Sequence, residues 1–327
     1  MNIDAIRAAE QRLEGHVRRT PLLSSPNIDA IAGRRVLIKA ECLQHTGSFK
    51  YRGALSAISA LDAHARKRGI IAYSSGNHAQ GIALAARQFG APAVIIMPQD
   101  APRTKIENTK LLGAEIVLYD RVAGEDRDAI GAALSAERDL TLIKPFDNPQ
   151  VIAGQGTAGL EIAAQATALG VDTAEVIVCC GGGGFASGIA LALEADAPGY
   201  RVRPAEPADF DDMARSLVAG ERLSNAKTSG SICDAIISPT PGVLTFPILQ
   251  KLAGPGIVVT DDEALHAMAL AFAHLKVVAE PGGAVALASA LFHASEIDGD
   301  TVIVTISGGN VDAEVFQMAL RQYGDLL

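Results

Sequence analysis

The sequence predicts an α/β protein made of two parallel sheets, each a three-layer unit with helices on both faces. Three observations predict it. Short runs rich in Val and Ile alternate with longer helical runs along the chain. Those short runs are apolar throughout rather than at every second residue, as strands covered on both sides require. Several of them end in a glycine- or serine-rich turn that opens a helix, and parallel sheets hold their ligands at the carboxyl ends of strands. The length of 327 residues suggests two domains at roughly 100–200 residues each.

In chain order, VLIKAE (36–41) reads as a strand and 50–64 as a helix. IIAYS (70–74) is followed by a helix near 77–90, and AVIIM (93–97) by one near 103–112. EIVLY (115–119) leads to a helix near 124–137, and a further helix is expected over 155–169. EVIVCC (175–180) precedes a helix at 184–197, and YRVRPAE (200–206), GIVVT (256–260) and TVIVTI (301–306) are strands separated by helices. No Pro- or Ser-rich linker divides the chain, so the second domain reads as an insertion. Residues 53–145 form the smaller unit; 1–52 and 146–327 form the larger.

Composition narrows the function. With 28 Lys+Arg against 37 Asp+Glu, the net charge is −9, aromatics are 4% and Trp is absent. A nucleic-acid partner would want a basic stripe and stacking rings, so none is expected. Cys42, Cys179, Cys180 and Cys233 form no C-x-x-C pair, and a disulfide framework is not expected. The first 20 residues lack an apolar signal core. Residues 176–193 are uncharged, but four consecutive glycines interrupt them, which suits strand, turn and helix better than a membrane span. The expectation is a cytoplasmic protein acting on a small molecule, with no membrane partner.

Four segments could carry chemistry. Gly181-Gly182-Gly183-Gly184-Phe185-Ala186-Ser187-Gly188 follows a strand and opens a helix, whose free N–H groups favour an anion such as phosphate. Two other readings stay open: a turn that only allows close packing, and a dinucleotide loop, since Gly181, Gly183 and Ala186 fit G-x-G-x-x-A with Glu206 at the end of the next strand. Ser48-Phe49-Lys50-Tyr51-Arg52-Gly53 offers a lysine that partial burial could activate as a Schiff-base amine, although most lysines are simply solvated. Ser74-Ser75-Gly76-Asn77-His78-Ala79-Gln80-Gly81 sits at a strand-to-helix junction that suits a carboxylate, or is an ordinary helix cap. Ser307-Gly308-Gly309-Asn310 is a fourth strand-end turn.

Together and in this order, S-F-K-x-R-G-A, S-S-G-N-H-A-Q-G, G-G-G-G-x-x-S-G and S-G-G-N resemble the pyridoxal-phosphate enzymes of fold type II, which are tryptophan synthase β-like. Within them the resemblance is to serine/threonine dehydratases and serine racemases. It runs from Thr20-Pro21-Leu22 to Asn310-Val311-Asp312 and includes Pro145-Phe146-Asp147 and Gly154-Gln155-Gly156-Thr157. It implies that Lys50 holds pyridoxal 5'-phosphate as a Schiff base, that Phe49 lies against the pyridine ring, and that Asn77 bonds its phenolic oxygen. Gly181, Gly182, Gly183 and Gly184 would cradle the phosphate and Ser307 would meet the pyridine nitrogen. Ser74, Ser75, Asn77 and His78 would hold the substrate, with Ser75 also the acid on the opposite face in racemases. Phe185 stands where Leu or Met is more usual. Arg127 could pair with a second substrate carboxylate, or be a surface arginine.

The resemblance further implies that Glu206, the Phe210 carbonyl and Asp212 bind a divalent cation (Mg²⁺, Mn²⁺ or Ca²⁺); oxygen ligands at such spacing suit a hard cation, though an acidic helix start would look the same. The expected activity is that of an ammonia-lyase taking a β-hydroxy amino acid of the serine, threonine or 3-hydroxyaspartate type to a 2-oxo acid and ammonia, with a side racemase activity, in a homodimer. A racemase, a β-replacement synthase, a nicotinamide-dependent oxidoreductase and a non-catalytic amino-acid-binding module are the competing readings.

Overall fold

The structure is a computed structural model that describes residues 1–74, 76–101, 103–120 and 123–324. Ten strands occur among these residues: β1 (Leu22–Leu23), β2 (Arg35–Ala40), β3 (Ile70–Tyr73), β4 (Ala93–Pro98), β5 (Glu115–Tyr119), β6 (Thr141–Leu142), β7 (Ala174–Cys179), β8 (Tyr200–Pro207), β9 (Ile257–Val259) and β10 (Thr301–Ile306). They form two sheets, ordered β1-β2-β10-β7-β8-β9 and β5-β4-β3-β6. Both are parallel apart from β1, which pairs antiparallel with β2 through Leu22↔Lys39. The contiguous apolar runs explain this: the residues of β4 are buried without alternation, as are the last five of β2 and of β10.

Local differences from the sequence reading have local causes. The single helix expected over 50–64 is two, Lys50–Ser59 and Ala63–Arg68, because Asp62 accepts a hydrogen bond from the Ala65 N–H at 2.7 Å and caps a new start. The helix expected from 155 begins at Pro149, where Asn148 caps Gln150 and Val151 and proline takes the first helical turn. Residues 221–244 contain no helix or strand, and their stretch Asp234 to Pro239 supplies one wall of the cavity around Lys50. All four cysteines are free and buried. No helix among the described residues is long and apolar enough to cross a membrane.

Three helices meet almost backbone to backbone, and this positions the site. A Cβ on Gly188 would lie 2.5 Å from the Ile152 carbonyl oxygen, and one on Gly156 would lie 2.8 Å from that of Gly188. A Cβ on Gly154 would collide with the Arg52 carbonyl. Glycine at these three places therefore lets the helix Pro149–Ala168 carry both Lys50–Ser59 and Gly184–Asp196 on its surface. One helix begins at the candidate lysine and the other at the glycine loop.

Beneath the lysine helix lies a buried ion network. The Arg52 guanidinium donates to Glu41 at 2.8 and 2.9 Å, to Glu161 at 2.7 and 2.9 Å, to Thr157 and to the Arg18 carbonyl. Lys39 adds a bond to Glu161 at 2.6 Å. Two cations thus face two anions, and the network joins β2 to two helices.

Candidate active site

The chain from β2 to Lys50 makes two short 3₁₀ turns, Glu41–Leu43 and His45–Gly47, before the lysine helix. It is pinned to the end of β10: the Phe49 N–H donates to the Ser307 carbonyl at 3.1 Å and the Gly309 N–H to the Gly47 carbonyl at 2.9 Å. Two segments far apart in sequence are thereby held at one strand end. Lys50 Nζ donates to the Pro145 carbonyl at 3.1 Å and lies 5.2 Å from the Phe49 ring centre. Burial lowers its pKa to about 8, and the Glu280 carboxylate partly opposes that shift.

A cavity of about 250 Å³ opens around this amine. It is walled by Phe49 and Lys50, by Ser74, Asn77 and His78, by Arg127, and by all four glycines Gly181–Gly184. The structure thus brings most of the sequence-predicted residues to one place. The glycines serve packing as well: a Cβ on Gly182 would collide with the Phe146 ring, and Gly183 has φ +89°. Behind them the helix Gly184–Asp196 turns its N-terminus to the cavity. An amine of lowered pKa facing an anion cradle fits an aldehyde-bearing phosphate cofactor.

Several residues sit differently from expectation. Phe49 stacks on Phe185, with ring centres 4.0 Å apart and planes at 15°, so only its other face can meet a flat ligand. His78 Nε2 bonds to the Ile143 carbonyl at 3.0 Å, which makes Nε2 the protonated nitrogen. Burial, helped by Lys50, drops its pKa to about 3. The neutral ring turns only an acceptor, Nδ1, away from that bond, so His78 offers no donor to a carboxylate. Ser307 is buried at the end of β10 and does not line the cavity; Cys179 on the neighbouring strand does. Ser74 Oγ accepts from the Gly76 N–H at 3.2 Å. The Arg127 guanidinium lies 5.3 Å from the Tyr73 ring centre at the cavity wall. Ser75 lies outside the described residues.

Glu206 and Asp212 are fully buried, away from the cavity walls. Both Glu206 oxygens accept backbone N–H groups, from Met213 at 3.0 Å and Ala214 at 2.7 Å. Fully buried and away from the cavity walls, Glu206 cannot reach a ribose held in the cavity, and the dinucleotide reading loses its acid. Burial, then repulsion from Asp212, pushes Glu206 well up; burial raises Asp212 to about 7. Asp212 Oδ1 accepts from Asn225 at 2.7 Å, whereas Oδ2 is buried with no hydrogen-bond partner. An orphaned carboxylate oxygen beside a second buried acid fits a bound cation. Among the described residues there is no cluster of three His, Cys, Asp or Glu side chains, so the main-chain carbonyl of Phe210 would have to complete the set.

Sequence reasoning missed Lys105, Asp234 and Glu280, which also line the cavity, and gave no role to Gln80, which lines it too. Glu280 is 5% exposed and accepts from Asn77 Nδ2 at 2.6 Å. Its signal in the sequence was Glu280-Pro281-Gly282-Gly283, an acid set just before a proline-initiated helix.

Comparisons with known proteins agree with this geometry. The family model described as "Pyridoxal-phosphate dependent enzyme" matches residues 13–308. The chain is 42% identical over 318 residues to an L-threo-3-hydroxyaspartate ammonia-lyase of Pseudomonas sp, covering 97% of this chain and 98% of that one. It is 40% identical to a serine racemase of Oryza sativa subsp. indica, covering 98% and 94%. Among solved structures, maize serine racemase superposes with a TM-score of 0.90 at 36% identity, covering 99% of this chain and 98% of that one. The serine racemase of Dictyostelium discoideum gives 0.87 at 36% identity, covering 95% and 99%.

Proposed function

The chain belongs to the pyridoxal-phosphate-dependent enzyme family, and from that membership we propose that it is an ammonia-lyase acting on β-hydroxy amino acids, with racemisation as a side activity. The observation that carries this reading is the placement of the Lys50 amine and the four-glycine loop in one cavity. Pyridoxal phosphate supplies, when bound, the electron sink for breaking the Cα–H bond. Lys50 Nζ is the nucleophile for the cofactor's aldehyde and, when free, the base that takes the Cα proton. With its pKa near 8 a useful fraction of the amine is unprotonated at neutral pH. The glycine loop and the helix behind it hold the phosphate. The N-terminus of the helix Asn77–Gln88, with Ser74 and Gln80 beside it, suits the substrate carboxylate. Loss of water across Cα–Cβ, followed by hydrolysis, releases a 2-oxo acid and ammonia.

Arg127 and Lys105 lie on the cavity wall, Lys105 paired there with Asp234 at 3.3 Å, and these cations support a substrate with a second carboxylate, the class named for the Pseudomonas relative. Ser75 is our candidate for the acid of racemisation. We read Glu206, Asp212 and the Phe210 carbonyl as a divalent-cation site, supported by the orphaned Asp212 Oδ2. We also take residues 53–145, which contain β3 to β6, as the smaller domain, and the working form as a cytoplasmic homodimer. Borohydride reduction followed by peptide mass spectrometry tests the central claim: the pyridoxyl group is expected on Lys50, and Lys50→Ala should abolish both the label and 2-oxo acid release from serine, threonine and 3-hydroxyaspartate. A label elsewhere, or turnover surviving in Lys50→Ala, refutes it.

A further inference from the structure

Glu280 occupies the N-cap position of the helix Pro281–Phe292, yet its side chain makes no cap hydrogen bond. It turns instead into the cavity and accepts from Asn77 Nδ2 at 2.6 Å. This close approach depends on Gly308, where a Cβ would collide with Glu280 Oε1. A buried carboxylate that forgoes the free N–H groups of its own helix for a partner 203 residues away calls for an explanation.

The bond belongs to a chain whose direction can be assigned. Asn310 Nδ2 donates to the Thr46 carbonyl at 2.7 Å, and a carbonyl can only accept. The same nitrogen donates to Asn77 Oδ1 at 2.7 Å, so the Asn77 oxygen faces Asn310 and its nitrogen faces Glu280. One Asn77 N–H goes to Glu280 and one remains. We propose that Glu280 is a positioning residue that, with Asn310 on the oxygen side, holds the nitrogen of the Asn77 amide in place, so that Asn77 presents a donor to the cavity and selects a ligand atom that accepts. Granted the cofactor reading above, on which this rests, that atom is the phenolic oxygen of the pyridoxal group. Burial raises the Glu280 pKa to about 7 against the opposing hydrogen bond from Asn77, which is the cost of keeping an acid in this place.

The test uses the cofactor-free protein and two non-covalent probes, pyridoxine 5'-phosphate and its 3-deoxy analogue, neither of which can bond covalently to Lys50. Equilibrium dialysis gives both Kd values. The wild type is expected to favour the hydroxyl-bearing probe by at least about tenfold, since a hydrogen bond to a charged group is worth about 1.5–3 kcal/mol. Glu280→Ala should cut that ratio at least threefold, because the Asn77 amide then keeps only its bond from Asn310 and its nitrogen is no longer held in place. A merely structural defect would weaken both probes by one factor and leave the ratio unchanged, and that result overturns the proposal. If Glu280→Ala does not fold, Glu280→Met replaces it: the thioether side chain fills the space but offers Asn77 no oxygen to donate to, so the same fall is expected, and an unchanged ratio is again fatal. Wild-type protein that binds neither probe removes the cofactor reading and this proposal with it.

Discussion

Replacing Arg52 by methionine should unbalance the ion network under the lysine helix. The wild-type cluster sets Lys39 and Arg52 against Glu41 and Glu161, and Arg52 makes six hydrogen bonds in it. Methionine fills much of the volume but leaves two carboxylates facing one cation. Breaking a buried pair from one side costs about 3–5 kcal/mol, because the abandoned charge cannot return to water. Unfolding entropy of about 2.1 cal/mol/K per residue gives roughly 0.7 kcal/mol/K for this chain, so the melting temperature should fall by about 4–7 °C. The loss should depend on pH. Burial alone would raise the Glu41 pKa, but Arg52, with Lys39 and Thr20, overcomes it and holds the carboxyl below its ordinary value of 4.5. In wild type that contribution is present above pH 4.5 and is lost as pH falls through the lowered pKa. In Arg52→Met only Lys39 and Thr20 still oppose burial, the largest influence, and the expected result is a Glu41 pKa above its ordinary value. The folded variant then binds a proton that the unfolded chain does not, so its stability falls as pH rises through that window. Thermal unfolding of cofactor-free protein, followed by circular dichroism from about pH 5 to 8, should show a deficit that grows with pH. A loss under about 2 °C, or one independent of pH, would refute the reasoning.

Two further outcomes follow from the site. Gly182→Ala would place a methyl group against the Phe146 ring and force the loop outward; we expect pyridoxal phosphate affinity by equilibrium dialysis to fall at least about tenfold, against about 1–3 kcal/mol for overpacking generally. Saturating Mg²⁺ should raise the melting temperature of wild type by about 4 °C at about a hundred times its Kd, and Asp212→Asn should erase that increment; an equal rise in both proteins would remove the cation site.

The strands were legible because a strand buried on both faces is encoded by a local run of apolar residues. VLIKAE, AVIIM, EIVLY, EVIVCC and TVIVTI all match observed strands within a residue or two. The two-residue strands β1 and β6 were not, since so short a strand exists only through its neighbour. The break after Ser59 and the helix start at Pro149 were written in Asp62 and in Asn148-Pro149, but a single capping residue is a weaker signal than an apolar run.

The sequence by itself determined which segments could meet a ligand: Lys50 after Ser-Phe, Asn77 at a helix start and four glycines in a row are local patterns with local chemistry. Only the tertiary structure decided what each one faces. It turned His78 into a neutral acceptor, put Phe185 on one side of Phe49, drew Glu206 away from any ribose and brought Glu280 onto Asn77. Those outcomes depend on burial and on hydrogen bonds between residues as many as 203 positions apart, and both arise only when the two sheets and the glycine-packed helices have closed around the same cavity.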